Sequence, residues 1–181
     1  MLRFIRVAAV AGLAAFPAGA QTLDLPAVPQ VTGVSVEQVV VSQGTPAAPI
    51  ATDSGAMRNL NSVILQQGND NRASVFNAGS PNANGILLQA GQRNTGAIII
   101  DNSPGSVVGL VQIGRDNTMI GLVRGGRDNT VAGVQVGNNL TGVVGLENAE
   151  NVTLTYGQAG ASYAGGIIIR NPPPGSTITV N

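Results

Sequence analysis

The side chains in this chain with both the type and the spacing to act together are amides. Gln66, Gln89, Gln112, Gln135 and Gln158 return every 23 residues. A carboxamide carries a donor and an acceptor. Identical carboxamides stacked about 4.7–4.8 Å apart therefore satisfy one another along a column. The chemistry on offer is self-recognition, since the usual means of bond-making are missing. There is no His and no Cys, hence no imidazole or thiolate for metal binding or nucleophilic attack. The acids are spread singly apart from Glu147 and Glu150, so no carboxylate pair suggests itself. The run Gly125-Gly126-Arg127-Asp128 shares composition with calcium-binding Gly-Asp nonapeptide repeats, but its period is wrong and no Asp column persists. No phosphate-binding glycine loop fits, and no cofactor is expected.

Such a column needs an element that returns at a fixed interval. A glycine follows each glutamine by two places, at Gly68, Gly91, Gly114, Gly137 and Gly160. In the first three units an asparagine follows, at Asn71, Asn94 and Asn117; Leu140 and Tyr163 take that place later. A period of this size marks stacked supersecondary units. In the first unit, alternation puts Ser62, Ile64 and Gln66 on one face, and Asn71, Ala73, Val75 and Asn77 on another. The tetrapeptide Gly68-Asn69-Asp70-Asn71 between them reads as the turn, because Gly and Asn tolerate positive φ. The Asn positions are expected to form a second, shorter amide column. Ala97–Ile100 reappears as Gly166–Ile169 three periods later, and Arg124–Asn129 echoes Ile113–Asn117 half a period on. Each unit is thus two similar strand–turn halves. Gly, Asn and β-branched residues dominate without a 3.6-residue stripe, which argues against helix.

Composition fits this reading. Apolar residues make up 43% but aromatics only 3%, which suits a thin layered interior better than a globular core. All basic residues are arginines; with Arg3 and Arg6 set aside in a leader, the remainder carries a net charge near −2. A nucleic-acid partner would need a basic patch, so none is expected.

The chain divides into three parts. Residues 1–20 read as a secretory signal peptide: Arg3 and Arg6, an apolar run from Val7 to Phe16, then Ala18-Gly19-Ala20. That run is too short to span a bilayer. Residues 21–61 read as a flexible tail (21–29) and a degenerate cap, with a strand near Val34–Ser42 and Gln43 on the glutamine phase. Residues 62–181 hold the array. Pro172-Pro173-Pro174 marks a turn or a cap, a last strand runs to Val180, and Asn181 falls one period after Gln158, on the amide column. Asp70, Asp116, Asp128 and nearby arginines read as solvated turn charges, or as gatekeepers against premature aggregation. The fold class is all-β: a cross-β solenoid of about five 23-residue strand–turn–strand repeats after a signal peptide and an irregular N-terminal segment.

The pattern Gln66-x-Gly68-x-x-Asn71-x-Ala73-x-x-x-Asn77 resembles the curlin repeat, in which Gln-x-Gly-x-x-Asn-x-Ala ends on a second Gln. The resemblance is good over Ser62–Asn129 and looser over Val131–Asn171. Here Asn77, Ile100, Val123, Leu146 and Ile169 occupy the second Gln column, leaving one full ladder. The resemblance implies a non-enzymatic, extracellular subunit of curli-like amyloid fibres in adhesion and biofilm matrix. It also implies copies of itself as partners, together with a nucleator subunit and an outer-membrane secretion pore. The rival reading is a monomeric secreted solenoid that binds a carbohydrate, a surface or ice through a flat face.

Overall fold

Runs of Val, Ile and Leu favour strands, and the Gly, Asn and Pro clusters between them supply the backbone angles that end each strand. The computed structural model describes residues 36–43, 50–53 and 60–181, which wind into a parallel β-solenoid. Its strands are β1 (Val36–Gln43), β2 (Ile50–Asp53), β3 (Leu60–Asn69), β4 (Arg72–Ala78), β5 (Asn84–Gln92), β6 (Thr95–Asp101) and β7 (Val107–Arg115). They continue with β8 (Thr118–Arg127), β9 (Thr130–Asn138), β10 (Thr141–Glu150), β11 (Thr153–Ala161), β12 (Ala164–Arg170) and β13 (Thr177–Val180). Odd-numbered strands form one seven-stranded sheet and even-numbered strands form the other, of six. Each coil is therefore one odd strand, a first arc, one even strand and a second arc. The expected signal peptide and tail lie outside the described residues.

Register follows the glutamine period. Gln66 pairs with Gln89, Gln89 with Gln112, Gln112 with Gln135 and Gln135 with Gln158. Two expectations at the margins are corrected. Gln43 lies opposite Gln67, and Ser42 opposite Gln66, so the glutamine column begins at Gln66. At the other margin Tyr156 pairs with Val180, an offset one residue longer than the period. Asn181 comes to lie beside Gly157 instead of Gln158. The Pro-rich arc between β12 and β13 holds the extra residue.

The interior is one side chain thick from each sheet. Ile64, Leu87 and Leu110 form a fully buried column on the odd sheet; Ile98, Val123, Val144 and Leu146 answer from the even sheet. Burying each such side chain contributes about 1.5–3 kcal/mol. Glycines fit where the facing sheet is bulky. A Cβ added at Gly133 would lie 2.6 Å from Met119 Cε, and one at Gly85 would lie 2.6 Å from Val75 Cγ1. Large residues on one sheet thus fill the gaps of the other, as close packing demands.

The repeat glycines have a different job from the one their turn chemistry suggests. Gly68, Gly91, Gly114, Gly137 and Gly160 lie within β3, β5, β7, β9 and β11, with φ between +103° and +144°. The reversal comes two residues later, at Asp70, Arg93, Asp116, Asn139 and Ser162, which hold φ of 54–58°. A side chain at Gly114 would fall on the carbonyl oxygen of Gly137 in the next coil. Close stacking, as well as positive φ, selects glycine there.

Candidate functional site: amide columns and outer faces

The five glutamines stand over one another inside the solenoid, all 6% exposed or less. Gln66 Nε2 donates to Gln89 Oε1 (2.8 Å), Gln89 to Gln112 (2.8 Å), Gln112 to Gln135 (2.9 Å) and Gln135 to Gln158 (2.6 Å). From Gln89 onward, each Nε2 also donates to a carbonyl at the start of the even strand of the coil before it. The acceptors are Arg72, Thr95, Thr118 and Thr141, at 2.9–3.1 Å. The ladder thus ties rung to rung and, across the first arc, sheet to sheet. Its donors all point the same way along the stack. The leading acceptor, Gln66 Oε1, is buried without a partner. At the far end Gln158 Nε2 turns to the Gly165 carbonyl (3.4 Å).

The asparagine column is more of a backbone brace than a side-chain ladder. One side-chain pair exists, Asn94 Nδ2 to Asn71 Oδ1 (3.1 Å). Otherwise each Oδ1 accepts the backbone N–H one coil on: Asn94 for Asn71 (3.0 Å), Asn117 for Asn94 (3.2 Å) and Leu140 for Asn117 (3.1 Å). Each Nδ2 donates to the repeat glycine's carbonyl in the next coil, Gly91, Gly114 and Gly137, at 2.9–3.0 Å. Asparagine is short enough to reach its neighbouring backbone from a turn.

Sequence reasoning did not single out the polar interior of the second arc. Ser80, Ser103, Ser106 and Asn129 are fully buried. Ser80 Oγ accepts from the Ser103 N–H (2.8 Å), Ser103 and Ser106 hydroxyls bond at 2.8 Å, and Ser106 Oγ accepts from the Asn129 N–H (3.0 Å). Asn129 then repeats the brace, donating to the Ala149 carbonyl (2.7 Å) and accepting from the Val152 N–H (3.1 Å). The signals were present: Ser80-Pro81 and Ser103-Pro104 are one period apart, and Asn129 sits in the half-period echo.

Charges also stack. Asp101, Arg124, Glu147 and Arg170 alternate in sign along one column of the even sheet. Arg124 lies 3.5 Å from Asp101 and 3.6 Å from Glu147, and Arg170 lies 2.6 Å from Glu147. Arg127 reaches Glu150 at 3.8 Å. In the first arc Arg93 grips Asp116 with two bonds of 2.6 and 2.7 Å. That grip holds the Asp116 carboxyl below the usual carboxylate range and raises Arg93. Burial pushes the Tyr156 phenol up, Tyr163 adds to the rise, and a hydrogen bond with Gln158 opposes it.

The outer face of the odd sheet carries no charge across three columns, those beginning at Val63, Leu65 and Gln67. Leu65, Ile86, Ile113, Val134 and Val136 are 38–46% exposed there. A groove of about 400 Å³ runs between the second and third columns, past Leu65, Leu88, Ala90, Val111 and Ile113. Among the described residues no cluster of His, Cys, Asp and Glu converges to hold a metal. Nor is any helix among them long and apolar enough to cross a membrane. Comparison with protein-family models, curated proteins and solved structures finds no match.

What the geometry offers is a template. Its stacked, self-satisfied polar columns and in-register strands make each coil resemble its neighbours. Each sheet ends in a described edge strand, β12 on the even sheet and β13 on the odd sheet.

Proposed function

We propose that this chain is a secreted, non-enzymatic structural subunit that stacks strand edge on strand edge into extracellular, curli-like amyloid fibres serving adhesion and biofilm matrix. The observation that carries the reading is the continuous ladder from Gln66 to Gln158. An interior that rewards the same residue at every level is the arrangement by which identical rungs add in cross-β stacks. Edge strands with free N–H and C=O groups supply the joining surface. Further copies are the main partner; a nucleating subunit and an outer-membrane pore belong to the same proposal. The test is to incubate the purified chain from dilute monomer. Amyloid-dye binding, self-seeding and a fibre-axis reflection near 4.7–4.8 Å are expected. A mass that stays at one copy under all these conditions refutes the proposal.

The uncharged outer face of the odd sheet favours a second reading, a monomeric solenoid that binds a carbohydrate, ice or another surface there. Binding by unassembled chain, abolished by Ile113→Lys, would favour it.

A further inference from the structure

The described residues include seven exposed large apolar side chains, and five of them sit on the outer face of the odd sheet. The even sheet's outer face is different: its apolar columns are flanked by the alternating Asp101–Arg170 charge column. An uncharged, strand-paired face with this much exposed apolar surface calls for a cover.

The pattern of side-chain sizes says which cover fits. Along the central column the residues run Leu65, Leu88, Val111, Val134, Gly157. Summed over the three columns, the β3 and β5 rungs are bulky and the β11 rung, with Thr155, Gly157 and Ala159, is small. The face tapers. Mated sheets keep a constant gap near 10 Å. Two copies with their axes parallel would set bulky rungs on bulky rungs and leave a wedge at β11. With axes antiparallel, Gly157 of one copy covers Leu65 of the other, Val134 covers Leu88, and Val111 meets Val111. The filling is then nearly even from rung to rung.

We propose that the outer faces of β3, β5, β7, β9 and β11 mate with the same face of a second copy, with solenoid axes antiparallel, pairing two stacks side by side. The proposal rests on the fibre reading for its strength. One face measures roughly 20 by 25 Å, about 500 Å², which is short of the roughly 800 Å² per partner of a stable complex. A single pair is weak, and the contact accumulates only as subunits stack. Pairing therefore follows growth.

Mass per unit length of assembled fibres tests this. The native chain should give two solenoids per cross-section. Ile113→Lys should halve that value while leaving the rate of dye-detected growth unchanged. Ile168→Lys, on the even sheet, should leave both unchanged. Cysteine is absent from the chain, so single substitutions report orientation through a short thiol cross-linker. Val111→Cys should link to itself. Leu88→Cys should link to Val134→Cys in mixed fibres and not to itself. Fibres one solenoid thick overturn the pairing and leave the fibre reading intact. Leu88→Cys linking to itself overturns the antiparallel sense. A chain that never assembles overturns both.

Discussion

The first and second arcs of each coil do the same work with different parts. In the first arc a glycine at positive φ, a left-handed residue and a buried asparagine follow a buried glutamine, and coils 66–71, 89–94 and 112–117 repeat this set. In the second arc the residues drift: Ser80-Pro81-Asn82, then Ser103-Pro104-Gly105, then Asp128-Asn129, then Asn151-Val152, and finally Asn171 to Ser176 with three prolines. The first arc is tied to the next coil at Gln, Gly and Asn together, so one residue more or less would break several bonds at once. The second arc has fewer such ties, and the one change of offset after β3 passes through it, between β12 and β13. A repeat keeps its length where its polar interior is continuous from coil to coil. Elsewhere it tolerates change.

This contrast can be broken most sharply at glycine. Gly114→Ala sets a Cβ on the Gly137 carbonyl oxygen at a φ of 122°. The expected loss is about 3 kcal/mol or more, read as a fall in the urea midpoint. Gly175→Ala, in the second arc, meets nothing within 4 Å at a φ of 74° and should cost about 1 kcal/mol. Equal losses would mean that close stacking is not what fixes the first arc.

The ladder comes next. Gln112→Leu keeps the volume but leaves Gln135 Oε1 without its donor and Gln89 Nε2 with one acceptor fewer. A loss of about 2–3 kcal/mol is expected. Ser103→Ala, which removes the contact with the Ser106 hydroxyl and a long bond accepted from Asn129 Nδ2 (3.5 Å), should cost about 1 kcal/mol.

Asparagine sharpens the comparison. Asn129 belongs to the second arc yet copies the brace of Asn117. Both Asn117→Ala and Asn129→Ala should lose about 2 kcal/mol. A much smaller loss at Asn129 would show that position in the coil matters more than the bonds made.

The smallest effect belongs to the exposed charges. Exposed pairs add little and are screened by salt. Arg93 lowers the folded pKa of Asp116. Its contribution is therefore present above the ordinary carboxylate pKa of about 3.9 and is lost as pH falls through the lower folded value. Arg93→Gln should lower stability slightly near pH 7, and the difference from the native chain should vanish as pH falls through that acid window. A large shift at neutral pH would contradict this.

Most of the fold was legible because identity at a fixed spacing is a direct trace of stacking. The glutamine register, the inward faces of the first unit and the substitutions at Leu140 and Tyr163 could all be read from the period alone. Three things could not. The repeat glycines looked like turn residues because positive φ explains them, whereas the carbonyl of the next coil belongs to a neighbour 23 residues away. The second arc's serines were hidden because Ser and Pro beside Gly or Asn have the composition of a solvated loop, and burial is a tertiary fact. Asn181 and Gln43 were misplaced because a fixed period was extended through segments where the offset is one residue longer.

The glutamine amides all donate in one direction. Their dipoles add head to tail, so a column of them is an arrow and its two extremities are unlike: one presents lone pairs, the other hydrogens. Anything assembled by continuing that column inherits the arrow. The two tips of a single stack should therefore lengthen at unequal speeds, whereas two stacks mated antiparallel set their arrows against each other and present tips that are alike.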